Sequence, residues 1–198
     1  MPKSQEFVLS AGQDKELKLW KVDQAMAQDF NLPETFGQDD QKPYELVSSL
    51  RLNEPIENFC FTTFEDITLI LVANGNLISL VQLTQGQDGS GNPSLKSLSN
   101  VHVFQKPITK ITYDKARKRV IVGGLDQQIK FFEIFNDANA DKQDAQKPQD
   151  ASAQELKLHL RLQYKMKLPQ PIMSLAISAD GMHYVVGLID GSLVIKSK

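Results

Sequence analysis

The sequence is short of several things. Cys60 is the one cysteine among 198 residues, so the chain forms no internal disulfide and assembles no zinc site on thiols alone. Neither charge dominates. Against 22 Lys+Arg stand 24 Asp+Glu, a formal net charge of −2, which excludes a globally basic nucleic-acid binder. No apolar run approaches the ~18 residues that span a bilayer. The short polar stretch Met1–Phe7 leads into no signal-peptide core. No glycine-rich segment has the spacing of a phosphate or dinucleotide loop; Gly86 to Gly91 lies in a polar stretch and opens no helix. His102, His159 and His183 are scattered without metal-ligand spacing. What is present, 41% hydrophobic residues, is enough for a core. The expectation is a soluble protein of a reducing compartment, cytosol or nucleus, with no membrane partner.

The chain repeats itself. Pro55-Ile56, Pro107-Ile108 and Pro171-Ile172 open segments that align without gaps, and nineteen residues after each proline stand Asn74, Asp126 and Asp190. The five residues before those positions are apolar or small, and three residues after them Leu77, Ile129 and Leu193 open further apolar stretches. A fourth copy at the N-terminus starts late. Val8 to Asp14 aligns with Val120 to Asp126, and Leu17 to Val22 with Ile129 to Ile134.

Each unit reads as short strands rich in β-branched and aromatic residues, bounded by turn formers. Strand a is expected at about 56–61, 108–113 and 172–177, strand b at 67–73, 119–124 and 183–188, and strand c at 77–83, 128–134 and 192–196. A fourth strand, d, is clearest at Leu156 to Leu168, where Leu158, Leu160, Leu162, Tyr164, Met166 and Leu168 alternate with polar residues. That period of two predicts one buried face. Weaker d strands read at 44–52 and 95–104. Polar inserts at 23–43, 84–94 and 136–155 lie between c and d, and their composition predicts flexible loops. Without them each unit falls near the ~40–45 residues of a four-stranded propeller blade.

Four-stranded units with Asp in the b–c turn and an aromatic in strand c resemble WD40 repeats. The signature is most legible at Ser10-Ala11-Gly12-Gln13-Asp14 followed by Leu19-Trp20-Lys21. No Gly-His dipeptide precedes any strand a, and Phe132, Leu80 and Lys196 stand where the first unit has Trp20. The resemblance implies an all-β, partial WD40-type β-propeller over 1–198, with blades at about 7–52, 55–104, 107–168 and 171–198. It implies a structural blade-turn role for Asp14, Asp126, Asp190, Trp20 and Asn74, the last as a neutral substitute. Strands b, c and d of the first unit, two complete units, and a, b and c of the last make about half of a seven-bladed ring. The sequence thus reads as the C-terminal half of a propeller belonging to a longer protein.

A closer resemblance lies in the last ninety residues. Val122-Gly123-Gly124-Leu125-Asp126-Gln127-Gln128-Ile129-Lys130, Pro171 to Ile177, and Val185 to Lys196 resemble blades of the U3 small nucleolar RNA-associated protein 15 family. Glu54 to Phe59 fits an earlier blade. Members of that family carry a seven-bladed propeller followed by a helical domain, and belong to the small-subunit processome. The resemblance implies a non-catalytic scaffold in ribosome biogenesis and 18S pre-rRNA processing, located in the nucleus and nucleolus. It implies partners among the proteins of a ribonucleoprotein assembly, with pre-rRNA or U3 snoRNA contacted mostly indirectly. Residues around Ile67 to Leu83 also look loosely similar to the non-catalytic WD40 subunit of a tRNA guanine-N7 methyltransferase, which stands as the alternative.

Few residues offer chemistry. Cys60, between Phe59 and Phe61, has nothing in sequence to lower its pKa and reads as an inert buried thiol. The recurring Asp14, Asp126 and Asp190 read as turn formers rather than paired carboxylates. No catalytic, metal-binding or cofactor-binding residue is expected, and no cofactor or small-molecule substrate. Lys115, Arg117, Lys118 and Arg119 are the one local cluster of cations, between strands a and b. Two readings stay open for it: contact with RNA phosphates or an acidic partner, or a solvated hairpin turn. Because a–b turns and c–d loops leave a blade on the same face, the basic turn and the inserts are expected together. Phe61, Ile111, Phe131 and Leu175 are expected in the core, and Trp20 in blade packing.

Overall fold

The computed structural model describes residues 6–22, 44–85, 92–137 and 157–197. The inserts expected at 23–43, 84–94 and 136–155 lie largely outside the described residues, as does the turn to strand d in each case. Among the described residues, fourteen strands make four sheets. The first sheet holds β1 (Glu6–Ala11), β2 (Glu16–Val22) and β3 (Tyr44–Arg51). The second holds β4 (Ile56–Phe64), β5 (Ile67–Asn74), β6 (Leu77–Thr84) and β7 (Ser94–His102). The third holds β8 (Ile108–Asp114), β9 (Arg119–Gly124), β10 (Gln128–Asn136) and β11 (Leu158–Lys167). The last holds β12 (Ile172–Ile177), β13 (His183–Leu188) and β14 (Leu193–Ser197). Every sheet is an antiparallel meander whose spatial order follows the chain.

Three cores join successive sheets. Leu17, Leu52, Ile56, Ile70 and Val72 fill the first junction. Leu69, Leu71, Ile111, Val120, Val122 and Phe132 fill the second. Ile121, Ile129, Phe131, Leu175, Tyr184 and Val186 fill the third. Successive residues of β5 and β9 therefore face opposite cores. Leu69 to Ala73 and Val120 to Val122 are all fully buried. A strand covered on both faces reads as a continuous apolar run rather than an alternating one.

The b–c turns repeat to atomic detail in three sheets. The Asp14 carboxylate accepts the backbone N–H of Glu16 at 3.2 Å, Asp126 that of Gln128 at 3.1 Å, and Asp190 that of Ser192 at 3.0 Å. The next residue is left-handed in each: φ is 65° at Lys15, 66° at Gln127 and 83° at Gly191. An Asx turn of this kind gives the chain a local alternative to the ladder and so ends the hairpin. Asn74 departs from the expected role. It lies within β5, paired with Leu77 across a two-residue turn, and is buried with its Oδ1 2.9 Å from Ser79 Oγ. The second hairpin is longer than the others, which carries Asn74 off the turn. Trp20 packs within the first sheet. Its Nε1 donates to Ser10 Oγ at 2.8 Å and its ring meets Tyr44 edge-on, whereas Asp14 pairs with Lys18 at 2.6 Å.

Irregularities recur at fixed places. The register slips after Ile56, Ile108 and Ile172, one residue beyond each proline. It slips again in β3, β7 and β11. The slip in β11 corrects the single buried face expected there. Phe131 pairs with Tyr164 but Phe132 with Leu162, so Gln163 is bulged out. Leu158 and Leu160 then pack toward the second sheet, Tyr164, Met166 and Leu168 toward the last, and Leu162 is left exposed. A one-residue bulge flips the strand's side chains to the other face.

The turn carboxylates set a pH dependence. Ser192 holds the Asp190 carboxyl below its ordinary 3.8, through its hydroxyl first and its backbone N–H second. A lowered folded value means a contribution that is complete above pH 3.8 and declines as the pH falls toward and through the folded value. The wild-type urea midpoint is expected to drop below pH 3.8. Asp190→Asn, whose amide oxygen still accepts from Ser192, is expected to drop less over that window. Equal losses in the two proteins would show that this carboxylate is not the source.

Candidate interaction surface

The β8–β9 turn carries the basic cluster, and the structure divides it. Asp114 closes β8 and is buried. Its carboxylate accepts from Arg119 Nε at 3.0 Å and from the Arg117 backbone N–H at 3.1 Å, and lies 3.5 Å from Arg117 Nη1. Arg119 is only 3% exposed. Its Nη1 donates to the Tyr164 hydroxyl at 2.7 Å, and its guanidinium sits 4.8 Å from the Phe131 ring centroid. Arg119 is thus turned into the sheet and is not a surface contact for phosphate. Arg117 reaches the last sheet, with Nη2 3.2 Å from Met182 Sδ. Gly181, at φ 68°, leaves it room: a β-carbon there would stand 2.6 Å from Arg117 Nη1 and from Asp114 Oδ1. Lys115 and Lys118 remain exposed.

Those two lysines border a cavity of about 700 Å³ between the second and third sheets. Phe61, Phe64, Tyr113 and Ile134 supply its apolar lining, and Glu65, Asp66 and Glu133 join the lysines as its charged lining. Glu65 and Asp66 form the two-residue β4–β5 turn with φ of 46° and 65°, the left-handed pair that matches strand twist in a tight hairpin. Arg161, 2.7 Å away, holds the Glu133 carboxyl below its usual range. Pairing across the third sheet runs Asp114–Arg119–Glu133–Arg161. The basic turn and the β10–β11 strand ends therefore share one face.

Ile111, Phe131 and Leu175 are core residues as expected, but Phe61 is 48% exposed and lines the cavity. Its signal in sequence is a third ring in one nine-residue strand: Phe59 packs against the first core and Phe64 against the second, and Phe61 belongs to neither. Burial pushes the Cys60 thiol up to about 12, far from the thiolate that nucleophilic chemistry needs. Among the described residues no group of three or more His, Cys, Asp or Glu is placed to hold a metal ion.

No family model matches the chain, and no curated protein does. Among solved structures it is similar to the WD40 β-propeller domain of Doa1, with a TM-score of 0.59 at 15% identity, over 97% of this chain and 47% of that one. The fold is a WD40-type β-propeller, present in part. This chain spans about half the length of the propeller it matches.

The split of the basic cluster is open to measurement. Arg119→Ala leaves Asp114 buried beside a more distant arginine, and is expected to cost about 3–5 kcal/mol of stability by chemical denaturation. Lys118→Ala, on the surface, is expected within about 0.5 kcal/mol of wild type. Comparable effects at the two positions would contradict the division.

Proposed function

We propose that this chain is a non-catalytic protein-interaction scaffold of the small-subunit processome, acting in 18S pre-rRNA maturation in the nucleolus. Support for the scaffold is architectural. Rigid sheets hold a cavity with an apolar lining and mixed charge at the turn face, and groups in that arrangement favour docking of a protein surface over chemistry. The ribosomal assignment is carried by one observation. The residues that resemble the U3 small nucleolar RNA-associated protein 15 family fall on two successive blades at equivalent places, Val122 to Lys130 across the β9–β10 turn and Val185 to Lys196 across the β13–β14 turn. RNA contact is mainly indirect on this reading. Two cations of the turn are engaged by Asp114, and the exposed two share the cavity with three carboxylates.

Affinity purification of the tagged chain from its own cells is expected to enrich U3 snoRNA and processome proteins. Enrichment of a methyltransferase with tRNA instead would overturn this reading in favour of a tRNA-modifying complex.

A further inference from the structure

The β4–β5, β8–β9 and β12–β13 turns are equivalent in the repeat, yet they meet differently at two internal junctions. Between the third sheet and the last the turns are joined. Arg117 reaches from the β8–β9 turn to Met182 Sδ at 3.2 Å, and Gly181 permits the close approach. Between the second and third sheets the turns stay apart, and the cavity of about 700 Å³ lies there. Both sheets that wall it are four-stranded. The flanking turns carry opposite charge. Asp66 occupies the place in its repeat that Lys118 occupies in the next, with left-handed backbone at both, φ 65° and 50°. Glu65 and Asp66 are exposed on one wall, Lys115 and Lys118 on the other. Among the described residues none of these four side chains enters an ion pair, whereas Glu133 is engaged by Arg161. The floor is the rim of an existing core: Phe64 and Tyr113 pack partly buried against the second core, and Ile134 belongs to it.

We propose that this groove takes an extended segment of a partner protein, laid across it from sheet to sheet. The segment places an acidic side chain toward Lys115 and Lys118, a basic one toward Glu65 and Asp66, and a large apolar one between them. This rests on the scaffold reading above and adds the chemistry of what is bound. Opposite charges held apart across a gap do not satisfy each other, and a segment that bridges the gap satisfies both. Its apolar side chain extends the second core, and the apolar surface it buries is the driving force. A polyanion attracted by the two lysines meets two unpaired carboxylates in the same groove, and like charge opposes it. A cavity of this size falls within the range of about 300–1,000 Å³ found for ligand sites, which is room for a short segment and not for a domain.

Selection of a random heptapeptide library against the full chain tests this. The selected peptides are expected to share an acidic and a basic residue on opposite sides of a large apolar one. The double variant Lys115→Glu, Lys118→Glu is expected to bind them roughly tenfold more weakly by fluorescence anisotropy, with strand content unchanged by circular dichroism. It is expected to regain affinity for a selected peptide whose acidic residue is replaced by lysine. Glu65→Lys reverses the opposite wall and is expected to do the same toward a peptide whose basic residue is replaced by glutamate, which keeps the test if the double variant loses strand content. No common charge pattern, a consensus of one sign, or a reversal without recovery overturns the proposal. Tighter binding of an oligouridylate than of the peptides also overturns it, in favour of nucleic acid. A doubled mass in light scattering that the double variant abolishes overturns it in favour of a second copy. The peptide result and the enrichment of U3 snoRNA are measured independently, so failure of one is distinguishable from failure of the other.

Discussion

The structure depends on covering both faces of each second strand. Ile70 and Val72 face one core while Leu69, Leu71 and Ala73 face the next, and the same division separates Val120 and Val122 from Ile121. A sheet built on such a strand cannot be satisfied by one layer beneath it. It needs a neighbour on each side, and each neighbour has the same need. Sheets with that property stack in series, and the right-handed twist between strands turns the stack into an arc. The burial of Phe131 follows from this constraint, and so does the exposure of Ile195 at the equivalent place. Among the described residues, Phe131 has a further sheet beyond it and Ile195 has none.

A second requirement is that every sheet present its two faces in the same register, or the cores would not interlock. Bulges supply this. The slip that follows Pro-Ile in β4, β8 and β12 occurs at the same repeat position each time. At one of these sites the structural role is visible: Thr109, at the β8 slip, donates to the Ile172 carbonyl of the next sheet at 2.7 Å. Close approach is needed there too, for a β-carbon on Gly123 would stand 2.7 Å from the Ile172 side chain. The outer strands use their bulges differently. In β11 the bulge at Gln163 divides one strand between two cores, Leu158 and Leu160 on one side and Tyr164 and Met166 on the other.

The parts of this fold legible in sequence are those set by neighbours in the chain. An Asp that accepts the N–H two residues on, followed by a left-handed residue, is a local device, so Asp14, Asp126 and Asp190 could be read directly. The strands themselves follow from short apolar runs between such turns. What escaped was set by distant pairing. Asn74 has the right spacing from its proline, yet a longer hairpin moves it inside the strand. The β11 alternation looks unbroken because a bulge adds a residue without changing the visible period. Arg119 looks like one cation in a solvated run, and its partner Tyr164 lies 45 residues away in sequence. The exposed Phe61 escaped for the same reason, since the cavity beside it exists only where two sheets meet.

The division of the basic turn also decides what kind of recognition the turn face supports. A buried arginine–carboxylate pair adds little net stability over an apolar replacement, but it is costly to break and holds a geometry. Here Asp114 holds Arg119 within the third sheet and Arg117 toward the fourth, so two cations are spent on architecture. Lys115 and Lys118 are left beside Glu65, Asp66 and Glu133 around an apolar floor. A surface so nearly balanced exerts little long-range steering on a polyanion. It discriminates at short range, by whether a partner places an apolar side chain against Phe61 and Tyr113 and opposite charges against the two lysines and the three carboxylates. That is the selectivity of a protein contact, and it arises from the fold's use of two arginines elsewhere rather than from the composition of the turn.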